Sequence, residues 1–398
     1  MSIRNGGQEH RKKIGKGILN SLSSLLESAG IAISQRHNAR YTVRHWVAIL
    51  AGMCSHGCTS ETAARDVIAR PGMPTARWFR GVMNGFGEEQ ADRVCGALLA
   101  ETVRLARGIG MGMNGPVRVA IDKHLIPRYD RNNMDHLVYS EPKSGTKRFE
   151  AYATLQVVGE EEGGPNAVLD GARFVRGDSN VEFVSRFMRT LGSCRMPVSL
   201  VLMDREFYAV DVMLAVSEAG RRFLMPAVKN SGIRRAILEH HDGRRDAASR
   251  YVMRNSSGRS AEFTLLVRPA GKAEGGGEEE EVEVTDRYVV FATNLPPGSA
   301  PRMVETLPEE YRKRWGIETG YRQFEQIRPR TTSRSGPFRW ILFFVAMYIY
   351  NMWAIERFRA GEGPVGTVRL KMVVCATVEA ALADCSTCRR PRSFGGPG

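Results

Sequence analysis

Cysteine is scarce in this sequence, at seven in 398 residues. The number is odd, and residues 1–16 are polar and basic with no apolar stretch behind them. No secretory leader is therefore expected, and no disulfide framework. Long hydrophobic runs are also few. The stretch Trp340 to Ile355 falls short of the roughly 20 residues of a membrane span. It contains Asn351 and is closed by Glu356 and Arg357, so it reads as a buried core helix and no membrane partner is expected. Acidic residues are outnumbered, 43 Asp plus Glu against 57 Lys plus Arg, for a formal net charge of +14. Such an excess points to a polyanion, either nucleic acid or an acidic membrane face; the core-helix reading leaves nucleic acid.

Several motifs are missing. Gly108 to Gly115 is glycine-rich, but Met113 stands where a dinucleotide fingerprint needs its third glycine, and no strand precedes it. Cys54 and Cys58 with His56, and Cys385 with Cys388, each lack the second pair of a tetrahedral zinc site and read as incidental thiols. His240–His241 reads as surface, and Glu278–Glu281 as a solvated acidic loop. There is no nucleophilic Ser or Cys motif, and no small-molecule substrate is expected. What remains is ordinary globular composition, 42% hydrophobic and 25% charged, on a chain long enough for two or three domains.

Residues 1–115 have helical spacing, at Ser21 to Ile33, Tyr41 to Met53 and Gly87 to Arg107. Between the last two, Ser60 to Arg70 and Thr75 to Met83 flank the break Pro71-Gly-Met-Pro74. That arrangement fits a helix-turn-helix presenting Arg77 and Arg80 to DNA, and equally an ordinary helical hairpin. From residue 116 the pattern becomes mixed α/β. Val117 to Ile121 is a short strand ending on Asp122. Ala151 to Val158 and Ala167 to Val175 alternate around a turn at Gly163 to Asn166. Ser179 to Leu191 is helical, and Val198 to Met203 is a continuous apolar run, as a buried central strand requires. A helix from Val210 to Ala219 and a strand from Arg222 to Val228 follow. The order implies a mixed sheet with flanking helices. Residues 233–300 form a β-rich insertion, with strands at 250–254, 262–268 and 288–293 and a low-complexity stretch from Gly271 to Glu283. A long helix opens at Pro308 and runs to about Ile327. A core helix spans Arg339 to Arg357, and residues 361–398 hold a last helix and a tail. The expected divisions are 1–115, 116–232, 233–300, 301–360 and 361–398.

Two aspartates, Asp122 and Asp204, close two apolar strands, where such sheets present reactive groups. Each alone reads as a strand-end cap. Together they would repel unless a cation or proton intervenes, and hard divalent ions take oxygen ligands. On a single helix, Tyr311, Arg314 and Glu318 would form one stripe extended by Arg322. An acid, a cation and a phenol suit a metal–phosphate centre. Lys143, Lys147 and Arg148 form a basic patch that fits DNA backbone contact or a plain exposed loop.

These residues resemble the insertion-sequence DDE transposases, in the branch whose third acid sits in a Tyr-x2-Arg-x3-Glu-x6-Lys signature. Tyr311, Arg314 and Glu318 match its first three residues. Asp122 in AIDKH matches the first acid, and Asp204 in LMDREFY, with Arg205 and Phe207, the second. The segment from Lys143 to Leu155, Thr293-Asn294 and Tyr350 to Trp353 are also similar to that family, so the resemblance runs from about Val117 to Trp353. The signature lysine falls on Glu325, leaving Arg322 or Arg328 as substitutes in phosphate binding. The resemblance implies a ribonuclease H-like fold split by the insertion, with Asp122, Asp204 and Glu318 holding two Mg²⁺ or Mn²⁺ ions. It further implies hydrolytic nicking at element ends and strand transfer into target DNA, by a homodimer on DNA in a prokaryotic cytoplasm. Tyr311, Arg314, Arg322, Arg205, Lys143, Lys147, Arg77 and Arg80 are the expected DNA contacts.

Overall fold

The structure is a computed structural model. It describes residues 2–28, 41–69, 72–111, 115–129, 136–159, 166–240, 247–269, 284–299 and 303–359, with 372, 374–376, 378 and 379. Gly163 to Pro165, His241, Glu278 to Glu281, Cys385 and Cys388 lie outside these residues. The chain divides into two compact units, one joining residues 1–109 with 319–398, the other comprising residues 110–318.

The first unit is helical. Helices α1 (Ser2–Ser28) and α2 (Val43–His56) are followed by a short α3 (Ser60–Thr62) that runs into a π-turn, Ala63–Val67. Then come α4 (Ala76–Asn84) and α5 (Glu88–Gly108). Thr75 caps α4, accepting from the Trp78 N–H at 3.3 Å. That bond satisfies one of the orphan donors of the first turn.

The second unit is built on one sheet. Its elements are β1 (Val117–Arg128), β2 (Val138–Lys143), β3 (Thr146–Val158), β4 (Val168–Phe174), α6 (Asn180–Ser193), β5 (Val198–Met203), α7 (Val210–Glu218) and β6 (Phe223–Pro226). They continue with α8 (Ser231–His240), β7 (Ala247–Arg254), β8 (Ser260–Pro269), β9 (Tyr288–Thr293) and α9 (Met303–Arg312). Next is α10 (Trp315–Glu325), within which the unit boundary falls. The chain returns to the first unit with α11 (Gly336–Arg359), which packs on α5. By length and composition α11 could cross a membrane, but its most apolar window is 94% buried inside the protein. Asn351, the polar residue within it, donates to Thr102 Oγ1 at 3.2 Å, so it is satisfied in place.

The sheet order is β2-β3-β1-β5-β6-β9-β8-β7, with β4 on β3. Strands β1, β5 and β6 run parallel, and β3 runs antiparallel to β1. The apolar run Val198 to Met203 is the central strand that its composition requires, buried from Leu200 onward. The strands of residues 247–293 extend this same sheet, because β9 pairs antiparallel with β6. Asn294 locks that junction: its carbonyl accepts from the Phe223 N–H at 3.0 Å and its amide donates to Arg221 O at 2.8 Å.

Two expectations need correction, and one strand was not expected. First, β1 does not end at Asp122. It continues to Arg128 because β3 keeps pairing with it, from Val158 opposite Arg118 to Arg148 opposite Arg128. Only its parallel pairing with β5 stops at Ile121. Second, β2 carries no apolar alternation, since most of its residues are exposed, and periodicity could not reveal it. Third, the helix expected from Pro308 to Ile327 is two. Pro308 lies inside α9, and the chain tightens over 313–314, where Arg314 N–H bonds Tyr311 O and Ile317 N–H bonds Arg314 O. These i→i−3 bonds re-aim the backbone. Gly316 then lets α10 approach β3, since a Cβ there would sit 3.3 Å from that of Val158.

At the outer end of β1, Arg128 donates to Glu150 at 2.7 Å, and both side chains are almost fully buried. Removing one partner of such a pair deprives the other buried charge of its counter-ion. Glu150→Ala is expected to lower the unfolding free energy by about 3–5 kcal/mol. Urea denaturation reads this as an earlier midpoint at unchanged slope.

Candidate active site

Asp122 and Asp204 meet through strand register. Ile121 pairs with Met203 on the neighbouring parallel strand, so the next residue of each chain stands side by side, with strands about 4.8 Å apart. Asp122 accepts from the Lys123 N–H at 2.8 Å and from Arg314 Nη1 at 3.2 Å. Asp204 caps a 3₁₀ turn, Arg205–Phe207, accepting from the Arg205 N–H at 2.5 Å. Burial pushes the Asp122 carboxyl up to about 7; Arg314 and the Lys123 N–H pull it down, while Asp204 and Glu206 push it further up.

The helical residues reach these acids by another route than a single stripe. Tyr311 lies near the end of α9, Arg314 in the tightened turn, and Glu318 in the first turn of α10. Arg314 is the junction. It donates to Glu318 Oε1 at 2.6 Å as well as to Asp122, and its guanidinium stands 5.6 Å from the centre of the Tyr311 ring. The side chain is 9% exposed, and among the described residues its buried Nε has no hydrogen-bond partner. The Tyr311 phenol is pushed up to about 12, by burial first and by the acids, against the pull of Arg314. At neutral pH it is therefore a protonated donor.

The other expected contacts lie on several elements. Arg322, one turn beyond Glu318, is exposed and donates to Thr319 Oγ1 at 3.3 Å. Arg328 is bound to Glu325 at 2.7 Å, so of the two substitutes for the signature lysine only Arg322 presents its charge outward. Arg205 is exposed beside Asp204, and Lys143 and Lys147 are exposed at the β2–β3 turn. In the first unit Arg77 is exposed on α4, whereas Arg80 is ion-paired with Glu61. Sequence reasoning missed Lys123 as a part of this region. It faces away from Asp122 by strand alternation, bonds Glu206 at 3.2 Å and lies 4.3 Å from the centre of the Phe174 ring.

Among the described residues no three His, Cys, Asp or Glu side chains form a ready metal cage. The donor set nevertheless fits a hard divalent cation. Asp122 and Asp204 are adjacent oxygen donors whose mutual repulsion a cation would relieve. Glu318 and Asp122 share the Arg314 guanidinium, which is the cation between them in the metal-free protein.

A mixed sheet thus presents two strand-borne carboxylates, with a third arriving on a helix after further strands. Residues 177–352 match the family model described as Transposase DDE domain, in keeping with the resemblance read from the motifs. The match spans Asp204, Tyr311, Arg314 and Glu318 and begins after Asp122, which the strand register supplies. It supports an enzyme that cleaves DNA and transfers strands. Among solved structures, the chain is similar to the piggyBac transposase in a synaptic complex with hairpin DNA, studied by cryo-EM. The identity is 10% and the TM-score 0.58, over 97% of this chain and 83% of that one; this likeness shows a shared fold. No curated protein sequence matches.

Proposed function

We propose that the chain is an insertion-sequence transposase that nicks the ends of its element by hydrolysis and joins the freed 3′-OH to target DNA. The observation that carries the reading is the junction at Arg314, which joins the first acid to the third beside the second. In this reading the sheet is ribonuclease H-like, with β4-β3-β1-β5-β6 as its core. Asp122, Asp204 and Glu318 would hold Mg²⁺ or Mn²⁺. When bound, such ions activate the attacking oxygen and stabilise the leaving one.

The chain's own residues orient and neutralise. Tyr311 donates its phenolic proton to a phosphate oxygen. Arg314 offers a planar fork that phosphate oxygens can share with the carboxylates. Arg322 stands in for the signature lysine, and Arg205, Lys143 and Lys147 contact the backbone. No covalent protein intermediate is required, consistent with the lack of a nucleophile motif. The likeness to a DNA complex supports DNA as the partner, and a homodimer is proposed for pairing two ends. The α3–α4 hairpin, with Arg77 outermost, is proposed for end recognition.

Purified protein with its element's terminal DNA and Mg²⁺ or Mn²⁺ tests this. Nicked and joined products that vanish in Asp122→Ala, Asp204→Ala and Glu318→Ala are expected. DNA that shifts but is never cut would instead identify a DNA-binding protein without catalysis, the outcome expected if no arginine replaces the signature lysine that Glu325 displaces. Cutting without joining would identify a nuclease. Arg77→Ala/Arg80→Ala is expected to make the salt dependence of end binding shallower by up to about 1.8 in log–log slope; unchanged binding would exclude the hairpin from recognition.

A further inference from the structure

The β2–β3 turn is held more firmly than an exposed connection needs to be. Its central residues, Ser144 and Gly145, both have positive φ, 52° and 77°, the conformation of a two-residue hairpin turn that follows strand twist. Glycine takes it freely; serine is strained there. Two bonds tie the turn to the end of β1 and the residue that follows it. The Tyr129 hydroxyl donates to Ser144 O at 2.8 Å, and Thr146 Oγ1 donates to Arg128 O at 2.6 Å. Behind them stands the buried Arg128–Glu150 pair. The Tyr129 ring remains 69% exposed although its hydroxyl is engaged.

On this fixed tip sit Lys143 and Lys147, both exposed. No ion pair among the described residues engages either one. Lys143 pairs with Thr146, whose side chain lies on the sheet face that carries Asp122. Lys147, the next residue along β3, lies on the other face. The two ammonium groups therefore leave a two-stranded ribbon on opposite sides. A DNA major groove admits a two-stranded ribbon and presents phosphates along both of its walls.

We propose that the β2–β3 tip is a preorganised ribbon that enters a groove of duplex DNA, with Lys143 and Lys147 each taking a phosphate on opposite walls and Tyr129 as the positioning residue that fixes the tip. This deepens, and rests on, the reading of the chain as a protein that acts on DNA. The ordering is paid before binding, so the contact is gained with little loss of freedom.

The test uses the full chain, a mixed-sequence duplex and metal-free buffer, with fluorescence anisotropy over a range of NaCl concentrations. Lys143→Ala and Lys147→Ala should each make the slope of log affinity against log salt shallower by about 0.9, and the double variant by about 1.8. Tyr129→Phe keeps both charges, so it should weaken binding about 2- to 10-fold at unchanged slope and unchanged thermal midpoint. A double lysine variant with the wild-type slope, in a protein whose wild type still cuts element ends, would overturn the ribbon and leave the transposase reading intact. Wild-type affinity in Tyr129→Phe would overturn the pin. A wild type that neither binds duplex nor cuts it would overturn both readings.

Discussion

Asparagine in place of Asp122 is expected to abolish DNA cleavage and, at pH 8, to make the metal-free protein more stable. Both effects come from the same feature. The Asp122 carboxyl is buried beside Asp204 and Glu206, and titrates near 7 in the folded chain against an ordinary 3.8. Between those values the folded protein holds a proton that the unfolded chain has released. Stability therefore falls as pH rises from about 4 to about 7, and above that the full penalty of an ionised Asp122 is present. Each unit of displacement corresponds to about 1.4 kcal/mol, so the penalty at pH 8 is a few kcal/mol. Asparagine keeps the shape of the protonated acid and carries no charge to desolvate. Thermal melts at pH 8 and pH 4.5 in EDTA are the check. The variant should melt higher at pH 8 and converge with the wild type at pH 4.5. Equal melting at pH 8 would mean that Arg314 already neutralises the carboxylate in full.

That conflict between stability and chemistry was only half legible in the sequence. The apolar run ending at Asp204 showed where a central strand lay, because burial on both faces leaves a continuous run. The apolar run before Asp122 points to that residue but makes it look like a strand end, since the extension of β1 to Arg128 depends on pairing with β3. That pairing is a tertiary fact, invisible in Lys123 to Pro127, whose burial is mixed. The signature spacing brought Tyr311, Arg314 and Glu318 together for a reason that was wrong in geometry: a turn at 313–314, with Gly316 against Val158, does what a single stripe was expected to do. Asn294 and Asn351 stood in family-like segments, and both prove to be polar locks, one at a strand junction and one between α5 and α11. Local pattern does not show which partner a buried amide will find.

Arg314→Ala is expected to show the second large effect. In the metal-free protein its guanidinium is the cation between Asp122 and Glu318; against the pull of burial, Tyr311, Asp122, Asp204 and Glu318 hold its pKa up. Without it, three carboxylates face one another with no counter-charge inside the site. Loss of a preorganised donor at a reacting phosphate lowers turnover by about 10²–10³-fold; under the proposed function, DNA cleavage should fall by at least that much. Lysine should not restore it, because a single ammonium cannot bridge two carboxylates with the planar fork of a guanidinium. Activity alone would not separate this role from simple misfolding, but the response to metal does. A divalent ion stabilises the folded state in proportion to how well it binds. In the wild type it must share Asp122 and Glu318 with Arg314, whereas in Arg314→Ala those oxygens have no competing cation. The rise in melting temperature on adding 5 mM Mg²⁺, a level of about that order being saturating for a millimolar-or-tighter site, should therefore be larger in Arg314→Ala than in the wild type. A smaller rise, in a variant that still folds, would show that Arg314 helps to assemble the carboxylates around the ion, and the guanidinium would then be a scaffold for the metal site where we place a competitor.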